Sequence, residues 1–173
     1  EPPAKRTVEG DLGVFVNAAN VIDLIGPAEL AAEFGVPEAD LIGLVRPLPV
    51  TAVERSFSAR LTREAVRIGL LRHAGRIRHL YGPTGRTAIA EGKDLTAVRW
   101  LVGTGGALTR LPGGEGALAA TRLGDRSREL LPGRGAAVVL DRDYIMASCG
   151  VMSAEHPEEA VTLMKKSLGV QER

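Results

Sequence analysis

Residues 98–113 read VRWLVGTGGALTRLPG, and the types in that run can do chemistry. Val98, Trp100, Leu101 and Val102 favour a buried strand, and Gly103, Gly105 and Gly106 then strip the following turn of every side chain except that of Thr104. Ala107, Leu108 and Leu111 resume an apolar pattern at helical spacing. Two readings stand. One is a tight strand-to-helix connection in which glycine supplies positive φ. The other is a backbone surface bared for a flat or anionic ligand at a helix start, where free N–H groups gather.

A second turn, Glu9-Gly10-Asp11-Leu12-Gly13, places an acidic residue between glycines. An aspartate there commonly makes local bonds to backbone. It is also what a site needs to hold hydrated Mg²⁺ beside a phosphate. Asp11 is thus the candidate catalytic and metal-binding residue, with glycine N–H groups close by.

Other constellations are excluded by spacing. His73, His79 and His156 are scattered, without partners at ligand spacing. Gly85 and Gly92-Lys93 stand too far apart for a Walker loop, and Asp94 follows the lysine. Gly103-Thr104-Gly105-Gly106 lacks the third glycine of a dinucleotide fingerprint, since residue 108 is leucine. No serine sits in a G-x-S-x-G elbow.

The elements that must position these turns follow from pattern. Residues 6–18 read as two short strands, the second over Val14-Phe15-Val16. Residues 20–46 are helical and divided by prolines, with Gly35 a stop. The spacing predicts the strongest helix over 58–75, with Leu61, Ala65, Ile68 and Leu71 on one face. A hairpin over 76–92 turns at Gly82-Pro83-Thr84-Gly85. After the glycine strand come a helix over 115–123, a strand over 136–140, and Asp141 placed to cap a helix starting near Asp143. The last helix carries Pro157, Glu158 and Glu159 at its start, Lys165 and Lys166 at its end, and Gly169 beyond. This is the order of an α/β domain with a central mixed sheet and flanking helices, and 173 residues suit a single domain.

Totals narrow the function classes. A net charge of +1, from 22 Lys and Arg against 21 Asp and Glu, gives no support to a nucleic-acid partner. No apolar run approaches the ~18 residues of a membrane span. One cysteine, Cys149, allows no internal disulfide and points to the cytoplasm; its small neighbours suggest a buried thiol in a helix contact. The chain opens on Glu1-Pro2-Pro3 without an initiator methionine, which reads as linker and predicts a piece of a longer protein.

RTVEGDLG at 6–13, LLRHAGRI at 70–77, EGKDLTAVRWLVGTGGALTR at 91–110 and LDRDYIMASCGVMSAEHPEEAV at 140–161 closely resemble the glutamate mutase accessory protein family, GlmL or MutL. That family is similar to the actin, sugar-kinase and heat-shock-chaperone ATPases, whose RNase H-like lobes clasp a nucleotide. The resemblance implies an RNase H-like, actin-type C-terminal lobe that binds ATP and Mg²⁺ together with its own N-terminal lobe. It implies that Glu9, Gly10, Asp11 and Gly13 form a phosphate loop and that Gly103, Thr104, Gly105 and Gly106 form the adenosine motif. Arg110 lies one residue beyond the place where heat-shock chaperones stack an arginine on adenine. The implied role is a reactivating chaperone of an adenosylcobalamin-dependent mutase, which opens a damaged holoenzyme and releases inactive cobalamin. Half of a small-molecule kinase with the same cleft, and an interaction domain without nucleotide, are the other readings.

Overall fold

A computed structural model describes residues 10–83, 85–122 and 128–170 of the chain. Its hydrophobic core lies among the helices of the first half. Helix α1 (Ala18–Ile25) and helix α2 (Pro27–Phe34) are followed by a 3-10 helix (Glu38–Leu44) and the long helix α3 (Ala52–His73). Val21, Leu30, Leu41, Phe57 and Leu61 from these elements are buried together with Leu12. Phe34 meets Phe57 edge to face with ring centroids 5.1 Å apart, the arrangement aromatic quadrupoles favour.

Helix α3 begins earlier than the expected 58 because of a capping box. The Glu54 amide donates to Thr51 Oγ1 at 3.2 Å, and the Thr51 amide donates to Glu54 Oε2 at 3.0 Å. The sequence signal, Thr-x-x-Glu, was present at 51–54. Thr51→Ala should therefore cost about 1 kcal/mol, read as a Tm lowered by about 3 °C in a calorimetric scan.

The strands depart further from expectation. Val14-Phe15-Val16 form no strand: the Asn17 side-chain amide donates to the Gly10 carbonyl at 2.5 Å, and that of Asn20 donates to the Asp11 carbonyl at 3.3 Å. These bonds tie the turn at Gly10 and Asp11 to the start of α1, and the Ala18 amide donates to the Phe15 carbonyl at 3.3 Å, so the segment between them turns into the helix. The hairpin does form, as strands β1 (Arg76–Gly82) and β2 (Gly85–Glu91) paired antiparallel. Strand β3 (Trp100–Gly103) pairs in parallel with strand β4 (Ala137–Leu140). Among the described residues the strands form two two-stranded sheets; Thr7-Val8, the first expected strand, lies outside those residues. The hairpin splits its apolar groups between both faces, with Ile77 and Tyr81 on one and Leu80 and Ile89 on the other, and all four are exposed. It therefore has no single face to lay on a common core.

Helix α4 (Gly106–Thr109) and helix α5 (Gly114–Ala119) follow β3, the latter shorter than the predicted 115–123. Helix α6 (Met146–Met152) and helix α7 (Pro157–Leu168) follow β4, and Cys149 is buried in α6. No described helix is long and apolar enough to cross a membrane.

Candidate functional site

The glycine turn separates into two kinds of glycine. Gly103 is buried, and a Cβ built there would stand 2.5 Å from Leu118 Cδ1 and 2.7 Å from Leu140 Cδ2. Its missing side chain serves packing of β3 against α5 and β4. Gly105 and Gly106 are different: a Cβ on either meets nothing within 4 Å. Gly105 also holds φ at +94°, a conformation that costs any other residue strain. These two bare backbone toward open space, as a ligand site requires. Thr104 turns away and donates its hydroxyl to Asp141 Oδ2 at 2.9 Å.

Beside the turn lies a cleft of about 270 Å³. Gly106, Ala107, Arg110 and Leu111 form one wall, Val14 and Phe15 another, and Arg46 to Pro49 with the first turns of α3 the rest. Three arginines rim it and no carboxylate lines it. Arg46 Nε is held by Glu54 Oε1 at 3.2 Å, and Arg55 Nη2 donates to the Arg110 carbonyl at 3.0 Å. A cationic rim on an apolar cleft suits a ligand with a flat apolar body and an anionic end.

The structure brings Gly106 and Arg110 to this cleft, and with them the chain just after the acidic turn. It does not bring the Asp11 carboxylate there. Arg72 Nη1 donates to both Asp11 oxygens, at 2.8 and 2.9 Å, and this hydrogen bond is the main reason the carboxyl sits below its usual pKa. Arg72 lies in the last turn of α3, whereas Arg55, which lines the cleft, lies in the first. Among the described residues no group of three or more His, Cys, Asp or Glu could hold a metal ion. The residues around Asp11 thus do not fit a resident Mg²⁺; a metal arriving with a phosphate would have to displace Arg72. Gly10 contributes its carbonyl to Asn17, and Gly13 lies close against the Asn17 amide. Glu9 lies outside the described residues.

Sequence reasoning gave Asp141 only a capping role. It does cap, accepting from the Ile145 amide at 3.1 Å and the Met146 amide at 2.9 Å, and α6 starts at Met146, later than expected. It also accepts from Ser167 Oγ at 2.5 Å, in α7, and from Thr104. Its carboxylate is fully buried. Burial alone would raise its pKa, but the bonds from Ser167, the Met146 and Ile145 amides and Thr104 outweigh that and lower it to about 2. An Asp directly after an apolar strand was a visible signal for the cap. Nothing in the sequence pairs residue 141 with 104 or 167.

These features define a class: an α/β protein in which a parallel strand ends in an open glycine turn over an arginine-rimmed cleft. The family model described as MutL protein matches residues 1–168, and the chain belongs to this family, that of the glutamate mutase accessory proteins. Protein MutL of Clostridium tetanomorphum is 30% identical over 175 residues, which cover 97% of this chain. The chain spans 38% of the length of that relative. No solved structure matches.

Proposed function

We propose that the chain is the nucleotide-binding lobe of an accessory protein that reactivates an adenosylcobalamin-dependent mutase of the glutamate mutase type, and that its fold is an RNase H-like, actin-type lobe. The observation that carries the nucleotide part is the pairing of bare backbone at Gly105 and Gly106 with a cleft that holds apolar walls and three arginines. A nucleoside base has the flat apolar body such a cleft takes, and Arg110 offers a guanidinium for stacking on it. Phosphates carry the negative charge the rim attracts. The metal would travel as MgATP, held chiefly by the phosphates.

Membership of the family supports the mutase partnership. Phosphoryl transfer needs phosphate and metal held from several sides, so this lobe needs a second lobe for turnover. Two measurements test the reading. MgATP should bind the intact protein, and phosphate release should rise when an inactivated glutamate mutase holoenzyme is added. Residues 1–173 by themselves should release no phosphate. Turnover by this chain alone would show that the residues assigned here are the wrong ones, and transfer of phosphate to a metabolite instead of water would replace the chaperone reading with a kinase.

A further inference from the structure

We propose that Asp141 is the positioning residue of the glycine turn, reaching it through the Thr104 hydroxyl while the rest of its carboxylate is anchored on α6 and α7. The inference rests on the nucleotide reading of that turn and adds to it the group that fixes the turn's shape.

The argument begins with freedom. A turn with glycine at 103, 105 and 106 has more accessible backbone states than any other sequence would give it. A ligand that binds only one of those states loses affinity in proportion to the others. Something outside the turn must select one. The local bonds from the Leu108 and Thr109 amides to the Gly105 carbonyl, at 3.1 and 3.0 Å, form within the same short segment and move with it. Thr104 carries the turn's one side chain, and its hydroxyl goes to Asp141. The Asp141 amide in turn donates to the Gly103 carbonyl at 2.8 Å. One residue thus grips the turn from both sides of the Gly103–Thr104 peptide.

Asp141 can do this because it is itself immobile. It follows β4 directly, so the parallel pairing of Gly103 with Leu140 sets it level with the end of β3. Its Oδ1 is held by Ser167 Oγ and the Ile145 amide, and Oδ2 by the Met146 amide. Ser167 is held in its turn, accepting from the Asp143 amide at 3.0 Å. A side chain with this many fixed partners transmits a position instead of averaging over several.

Thr104→Val tests the link without removing the buried carboxylate, and the exposed position leaves folding intact. In the intact protein, MgATP titrated against a fluorescent ATP analogue should bind about tenfold more weakly to this variant, the loss expected for one hydrogen bond to a charged acceptor. Without nucleotide, the amides of Leu108, Thr109 and Arg110 should exchange hydrogen faster, by a similar factor. Thr104→Ser, which keeps the hydroxyl, should restore both to near the parent values. Unchanged exchange at these amides in Thr104→Val overturns the proposal. So does an unchanged MgATP affinity in that variant while Gly105→Val still blocks binding. The exchange arm contains no nucleotide, so it decides the role of Asp141 even if Gly105→Val binds MgATP normally and the nucleotide reading falls.

Discussion

Asp141→Ala should cost about 4 kcal/mol of stability, a large share of the ~5–15 kcal/mol that holds a domain of this kind together. The carboxylate has no exposed surface and accepts from the hydroxyls of Thr104 and Ser167 and from the Ile145 and Met146 amides. Alanine leaves these donors facing one another with no acceptor. Ser167 is itself buried, so water reaches its hydroxyl poorly. Each buried donor left unpaired costs about 1–3 kcal/mol, and removing one partner of a buried charged network costs about 3–5 kcal/mol in total. The measurement is urea unfolding of parent and variant at neutral pH.

The same carboxylate sets an acid dependence. Its folded pKa is about 2, against an ordinary 3.8. A lowered folded pKa means stability that is present above pH 3.8 and lost as pH falls through about 2. The shift corresponds to about 2 kcal/mol. The parent should therefore lose that amount between about pH 4 and pH 2 through this group, and Asp141→Ala should lack that part of the decline. Parallel acid loss in the two proteins would show that another carboxyl carries it.

How much of this was legible in the sequence depends on the range of the forces involved. Helix α7 was legible because its signals are local: Pro157 at the start, two glutamates in the first turn, two lysines in the last and a left-handed Gly169. The hairpin was legible for the same reason, since both strands flank one turn. Val14-Phe15-Val16 misled because β-propensity is weak where the chain turns at once into a helix: the Ala18 amide donates to the Phe15 carbonyl, and Asn17 and Asn20 tie the preceding turn to α1. The glycine turn was found, but the division of labour within it was not. That Gly103 packs while Gly105 and Gly106 face open space depends on Leu118 and Leu140, which lie far along the chain. Arg46 and Arg55 escaped notice because a cleft is a property of several segments, and neither arginine sits in a motif. Asp11 looked free in sequence; its partner Arg72 is brought to it by the packing of α1 against α3.

That division makes opposite effects on nucleotide binding the expected result for two neighbouring substitutions. Gly105→Val should remove nucleotide binding, with at least a hundredfold rise in the Kd for MgATP, and lower the Tm of the intact protein by about 3 °C or more through backbone strain alone. A Cβ at Gly105 meets no protein atom within 4 Å, so the added side chain projects into the space a ligand would need. The φ of +94° adds strain of about 1–3 kcal/mol, which the turn relieves by moving away from its ligand-ready shape. Gly103→Ala should cost stability through packing and leave binding in place. Its new methyl group enters the space of the Leu118 and Leu140 side chains, and overpacking of this kind costs about 1–3 kcal/mol. Because the open side of the turn is untouched, the folded fraction of Gly103→Ala should bind MgATP within a few fold of the parent. The pair is read by titrating MgATP into each variant and scanning each by calorimetry. A Gly105→Val protein that is destabilised but binds normally would assign all three glycines to strand–helix packing, and the bare backbone at the end of β3 would then have no ligand to meet.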